Sequence, residues 1–163
     1  MRRTRQRAKI ARSGALWPAL LFLTAAAPRA ASWPLAFEPN HGQAAGARFV
    51  ARTSDHGLVL VEDSGFKFVL AGQSPASIHF LGAERHPALT ASQTLPGRAN
   101  YFSGRNLERA ITGVPQYGRV QFSGIYPGID AVLHRTNGSL EYDFLLAPHA
   151  EAGRIRLVLS EAV

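Results

Sequence analysis

Apolar residues along this chain come in short bursts, with no long periodic stretch. Residues 48–53, 58–62, 66–71, 77–81, 117–122, 129–135, 140–146 and 154–159 each carry several of Val, Ile, Leu, Phe and Tyr. Turn formers separate them, among them Ser64-Gly65, Gly72, Gly82, Pro127-Gly128 and Asn137-Gly138. Short strands at this spacing predict an all-β domain, an antiparallel β-sandwich-like fold or a barrel. No segment sustains a 3.6-residue apolar period, although residues 99–110 leave room for a helical turn or two.

The sharpest local signal is Asn137-Gly138. Both positions tolerate positive φ, so the dipeptide favours a type I′ hairpin turn. A two-residue loop fixes the register, and opposed residues then sum to about 275. Leu133 faces Tyr142, Ala131 faces Phe144 and Ile129 faces Leu146, which gives one apolar face. On the other face His134 opposes Glu141, Val132 opposes Asp143 and Asp130 opposes Leu145. One buried and one wet face is the usual pattern of an antiparallel pair.

Charge changes the picture at one end only. The formal net charge is +7. Arg2, Arg3, Arg5, Arg7, Lys9, Arg12 and Arg29 lie in the first 31 residues, which hold no acid. The other 11 basic residues are matched by 11 acidic ones. The basic character is therefore confined to the N-terminus, which argues against a nucleic-acid partner for the remaining domain. Residues 2–12 are positive, residues 15–27 (ALWPALLFLTAAA) are apolar, and small residues follow. That order predicts an export signal over residues 1–31, cleaved within 25–32, and an extracellular, cell-surface or periplasmic destination. The apolar run is too short to span a bilayer, so membrane contact is expected only through this segment if it stays uncleaved. Residues 32–163 form a single β-rich domain in this reading, incomplete at its C-terminus. The chain has no cysteine, which excludes disulfides, thiolate metal sites and cysteine nucleophiles.

Four places hold chemistry-bearing side chains. The polar hairpin face gathers Asp130, His134, Glu141 and Asp143. Carboxylates spaced across a strand pair suit a carbohydrate-binding or weakly carbohydrate-active site, or an oxygen-rich calcium site. The plainer alternative is a solvated face with a His134–Glu141 pair worth under about 1 kcal/mol. A buried, loop-bonded Asp143 is a further alternative, for which Asp143→Asn would cost about 1–3 kcal/mol. FEPNHGQ at 37–43 reads as an ordered bend: Glu38, Asn40, His41 and Gln43 are polar enough to line a site, and the favoured reading is structural, with Asn40 and Gln43 satisfying loop backbone. LPGRANYFSG at 95–104 places Tyr101 and Phe102 in the core, with Asn100 bonding to backbone; a sugar-stacking platform is the alternative. FSGIYPGID at 122–130 reads as a tight connection around a buried Tyr126. Asn137 and Gly138 complete the structural set. No nucleophile elbow, phosphate loop or zinc-protease motif occurs, so no catalytic residue is expected. The six histidines are scattered without metal-ligand spacing.

Taken in order, FEPNHGQ (37–43), LPGRANYFSG (95–104), VPQYGRVQFSGIYPGID (114–130) and LEYDFLLAP (140–148) resemble a known family. It is the N-terminal domain, of no assigned function, of bacterial exported proteins that carry SBBP (seven-bladed β-propeller) repeats. The resemblance covers residues 35–159. It implies a non-enzymatic exported β-rich module, with a β-propeller or other extracellular domain as partner, no cofactor, and no catalytic residues to carry over. Glycan remains the alternative partner. His41 stands where the family often has arginine, and the repeats themselves are missing from this chain.

Overall fold

Alternation and turn chemistry build a single antiparallel sheet. The computed structural model describes residues 35–53, 57–102, 110–136 and 139–161, all within one compact unit, Ala31–Val163. The stretch expected to be an export signal, residues 1–31, and the Asn137-Gly138 dipeptide lie outside the described residues. Ten strands are present among those described: β1 Phe37–Pro39, β2 Phe49–Arg52, β3 Leu58–Glu62, β4 Gly65–Val69, β5 Ala76–Phe80, β6 Ala88–Tyr101, β7 Ile111–Tyr126, β8 Ile129–Thr136, β9 Ser139–Leu146 and β10 Leu157–Glu161. One 3-10 turn, Ala152–Arg154, precedes β10. The fold is all-β, as the bursts predict.

The strands run in the order β10-β5-β4-β3-β2-β1-β7-β8-β9. β6 pairs along the opposite edge of β7. The sheet curls, so that β4 and β5 lie across β7 and β9 in a sandwich-like arrangement. Aromatic rings make the contact between the layers. Phe80 meets Phe122 with ring centroids 5.3 Å apart and Phe144 at 5.9 Å, both edge-on. Phe66 meets Tyr142 at 5.6 Å. Edge-on pairs suit the ring quadrupole and add to the area they bury. Phe37, Val59, Val61, Val120, Ile129 and Leu133 complete a core with almost no exposed surface.

The β8–β9 hairpin takes the register expected of a two-residue turn, from Thr136↔Ser139 to Ile129↔Leu146. Its two faces are less cleanly divided than alternation predicts. Val132 is buried on the polar face, and Tyr142 and Leu146 are partly exposed on the apolar one. Three further expectations are corrected. Residues 37–39 are a strand before the bend begins. Ala99, Asn100 and Tyr101 are the end of β6, with no helical turn. Phe102 is exposed where the core was expected.

Gly65 shows how tightly the meander is drawn. It has φ +152°, and an added Cβ would stand 2.0 Å from the Ile78 carbonyl oxygen. That neighbour is backbone of the paired strand and cannot swing aside. Gly65→Ala is expected to lower stability by about 1–3 kcal/mol through strain at the start of β4. A urea denaturation midpoint equal to that of the parent would refute this.

Candidate functional site

The polar hairpin face does not assemble into one site. Asp130 turns toward β7. Its Oδ1 accepts the Gly124 N–H at 2.7 Å, and its Oδ2 accepts from Gln121 Nε2 at 2.8 Å. Gly124 lies where the β7–β8 register shifts, so Asp130 pins an irregular stretch of ladder. His134 donates from Nε2 to Asp143 Oδ2 at 2.8 Å, a diagonal partner, instead of pairing with the directly opposed Glu141. Thr136 Oγ1 lies 3.4 Å from His134 Nδ1.

The row of carboxylate, imidazole and hydroxyl has the order of a proton relay. Its carboxylate, however, is 64 % exposed. A relay with this much water around it gains little from its charges. Among the described residues no group of three or more His, Asp or Glu side chains could hold a metal ion. With that exposure, Asp143 is a surface residue and not a buried one. Asp143→Asn is expected to change stability by less than about 1 kcal/mol. Asp130→Asn is expected to cost more, because it weakens a charge-assisted bond to backbone. Thermal melts of the two variants side by side check the order.

The ordered bend places its polar groups on its own backbone. Asn40 Nδ2 donates to the carbonyls of Ala44 (2.5 Å) and Ala47 (2.7 Å). Its Oδ1 accepts the N–H groups of Gly42 and Ala44, each at 3.1 Å. Gln43 Nε2 donates to the Pro39 carbonyl at 3.0 Å, and its Oε1 accepts the His41 N–H. Asn100 Oδ1 accepts the Gly113 N–H at 2.8 Å between β6 and β7. Tyr126 is buried, with its hydroxyl 3.1 Å from the Leu81 carbonyl oxygen and 3.2 Å from that of Arg156.

The most concentrated chemistry lies around Glu38. This carboxylate is 4 % exposed. It accepts from the Tyr101 hydroxyl on β6 and from Gln116 Nε2 on β7, the latter at 2.8 Å. Gln116 passes close to Gly97, where an added Cβ would come within 2.5 Å of its Oε1. Arg52 on β2 lies over the Tyr101 ring, 5.1 Å from its centroid. Burial, then the hydrogen bond to Glu38 and its negative charge, raise the Tyr101 phenol above its ordinary value, against a lowering by Arg52.

One node thus ties together four strands, β1, β2, β6 and β7. Sequence reading named Glu38 and Tyr101 separately and missed Gln116 and Arg52. Gln116 had a signal. It stands at alternate spacing with Val114, Val120 and Phe122, all three buried. A polar residue in such a stripe is expected to have a buried partner.

The comparisons with known proteins agree with a module of unassigned chemistry. No curated protein and no solved structure matches the chain. One family model, a domain of unknown function (DUF7948), matches residues 37–163, from the first residue of β1 onward. With most of its length matched, the chain belongs to the DUF7948 family.

Proposed function

We propose that this chain is an exported, non-enzymatic interaction module that stands before β-propeller repeats in longer relatives. One observation carries the reading. The polar side chains best placed for chemistry bond to backbone or to one another across strands: Asn40, Asn100 and Asp130 hold loops or irregular ladder, and Glu38 joins β1 to β6 and β7. The accessible features left over are sheet edges and exposed apolar side chains, which suit contact with another protein. The basic, apolar and small segments of residues 1–32 support export.

The test is to immobilise the full chain and titrate it with an SBBP-type β-propeller domain, with a glycan array as the parallel arm. Saturable binding of the propeller supports the reading. Saturable binding of a glycan without the propeller would replace it with the carbohydrate-binding alternative.

A further inference from the structure

β9 is a sheet edge with none of the usual guards. It ends the strand order and pairs, among the described residues, only with β8. The chain then leaves it, and the next strand, β10, joins β5 at the other end of that order. The Ala147 N–H donates to the Gly128 carbonyl at 2.8 Å, so Ala147 directs its backbone groups toward β8. Antiparallel strands alternate in this respect. Ser139, Glu141, Asp143 and Leu145 therefore also bond toward β8, while Leu140, Tyr142, Phe144 and Leu146 turn N–H and C=O groups to the other side. Open edges are commonly blunted by proline, lysine or a bulge. β9 has neither proline nor lysine, and its eight pairs with β8 run without a register shift.

The side chains divide on the same alternation. Leu140 and Phe144 pack against the core, and the Tyr142 ring lies against Phe66. Tyr142 and Leu146 stay 38 % and 43 % exposed on that face. The opposite face carries Glu141 and Asp143 two residues apart, and β9 has no basic residue. His134 holds Asp143, while Glu141 joins none of the ion pairs among the described residues. The edge is thus apolar on one face and acidic on the other. A second copy of β9 fits it poorly. Full overlap of two such strands would set Asp143 of one copy against Asp143 of the other. A slip of two residues toward the hairpin turn would set Glu141 against Asp143 twice. Like charges directly opposed across strands are destabilising.

We propose that the β9 edge takes an extended strand from another protein, one in which apolar and basic residues alternate. This names the partner of the interaction-module reading, on which it rests. The guest lies antiparallel to β9 and bonds to the backbone of Leu140, Tyr142, Phe144 and Leu146. Its apolar side chains extend the layer that Tyr142 and Leu146 leave open. Its basic side chains stand opposite Glu141 and Asp143, where unlike charges favour pairing. A slip of one residue would send its charges to the apolar face and its apolar groups to the acids, so the alternation fixes the register.

The experiment combines residue-resolved hydrogen exchange and fluorescence polarisation on the full chain. The probe is a labelled, amidated Val-Thr-Val-Lys-Val-Lys-Val peptide, whose two lysines fall opposite Asp143 and Glu141. The controls are its glutamine counterpart and a version N-methylated at the third and fifth residues, whose N–H groups would face β9. In the free chain the amides of Tyr142, Phe144 and Leu146 are expected to exchange fast and those of Glu141, Asp143 and Leu145 slowly, and the lysine probe should slow the first set. That probe should bind about fivefold more tightly than the glutamine one, an advantage that shrinks as salt is raised. Glu141→Gln with Asp143→Asn should abolish the advantage while the melting curve stays near that of the parent. N-methylation should abolish binding. Slow exchange of Tyr142, Phe144 and Leu146 in the free chain would mean that the edge is already covered, and would overturn the proposal. Equal binding of lysine and glutamine probes, an undiminished advantage in the double variant, or no binding at all would each do the same. A propeller that binds while the lysine probe does not would remove this edge as its site and leave the module reading in place.

Discussion

Phe80→Ala is expected to lower stability by about 3–5 kcal/mol. Phe80 is where the curl of the sheet closes. Its ring stands edge-on to Phe122 of β7 and Phe144 of β9, and tilted to Phe66 of β4 at 6.4 Å. Truncation leaves a cavity between the layers, and all three neighbouring rings lose a face. They are fixed by strand pairing, so they can collapse into the gap only in part. A domain of this size is stable by about 5–15 kcal/mol, so the variant should stand near the edge of folding. Urea denaturation followed by circular dichroism measures the loss. Phe80→Leu keeps most of the volume and should recover much of it. A loss under about 1 kcal/mol for the alanine variant would mean that the layers are held without this ring.

The second large effect is expected at Glu38. Glu38→Ala leaves the Tyr101 hydroxyl and the Gln116 amide without their shared acceptor. Orphaned buried donors cost about 1–3 kcal/mol each, and Tyr101 is partly open to water, so a total of about 2–4 kcal/mol is expected. Glu38→Gln keeps the shape and one acceptor, and should cost less. The same node gives an alkaline signature. The Tyr101 phenol is raised above 10.0 in the folded protein. The folded state therefore holds this proton more tightly than the unfolded chain. Its contribution to stability is complete below the unfolded value and is lost as pH rises through the folded one. Denaturation midpoints measured from pH 9 upward should show that fall in the parent and lack it in Tyr101→Phe. Parallel curves for the two proteins would remove the phenol from the account.

The hairpin and the node mark the reach of sequence reasoning. Asn137-Gly138 dictates a register for eight residue pairs because turn geometry and side-chain alternation act over a few residues. β3 was equally plain, since apolar residues fill its first four positions, Leu58 to Val61. β6 was missed. It carries Ser92, Gln93, Thr94, Pro96, Gly97 and Arg98, a composition that propensity assigns to a loop. As a strand bonded, among the described residues, on one side only, it tolerates a proline that a central strand would reject.

Burial offers β6 little help either, since only part of its length touches the core, through Leu89 and Ala91. On the polar hairpin face, register shows which residues oppose one another. It does not show which diagonal the twisted sheet brings close, and so His134 was matched to Glu141 when Asp143 holds it. Glu38 and Tyr101 were each legible as structural residues. Their meeting depends on β1 lying beside β7, which no local pattern encodes.

That adjacency has a kinetic consequence. The bonds that fix β1 on the far side from β2 reach across 63 residues to Tyr101 and 78 residues to Gln116. The meander from β2 to β5 closes through short turns and can form soon after it is synthesised. Phe37, at the start of β1, gains its partner Tyr117 only when β7 has emerged. Closure over such spans is entropically slow and sets folding on the longer time scale of non-local sheets. The first of the described strands to leave the ribosome is thus among the last to be locked on both sides, and during that interval Phe37 depends on the surroundings to keep it from other chains.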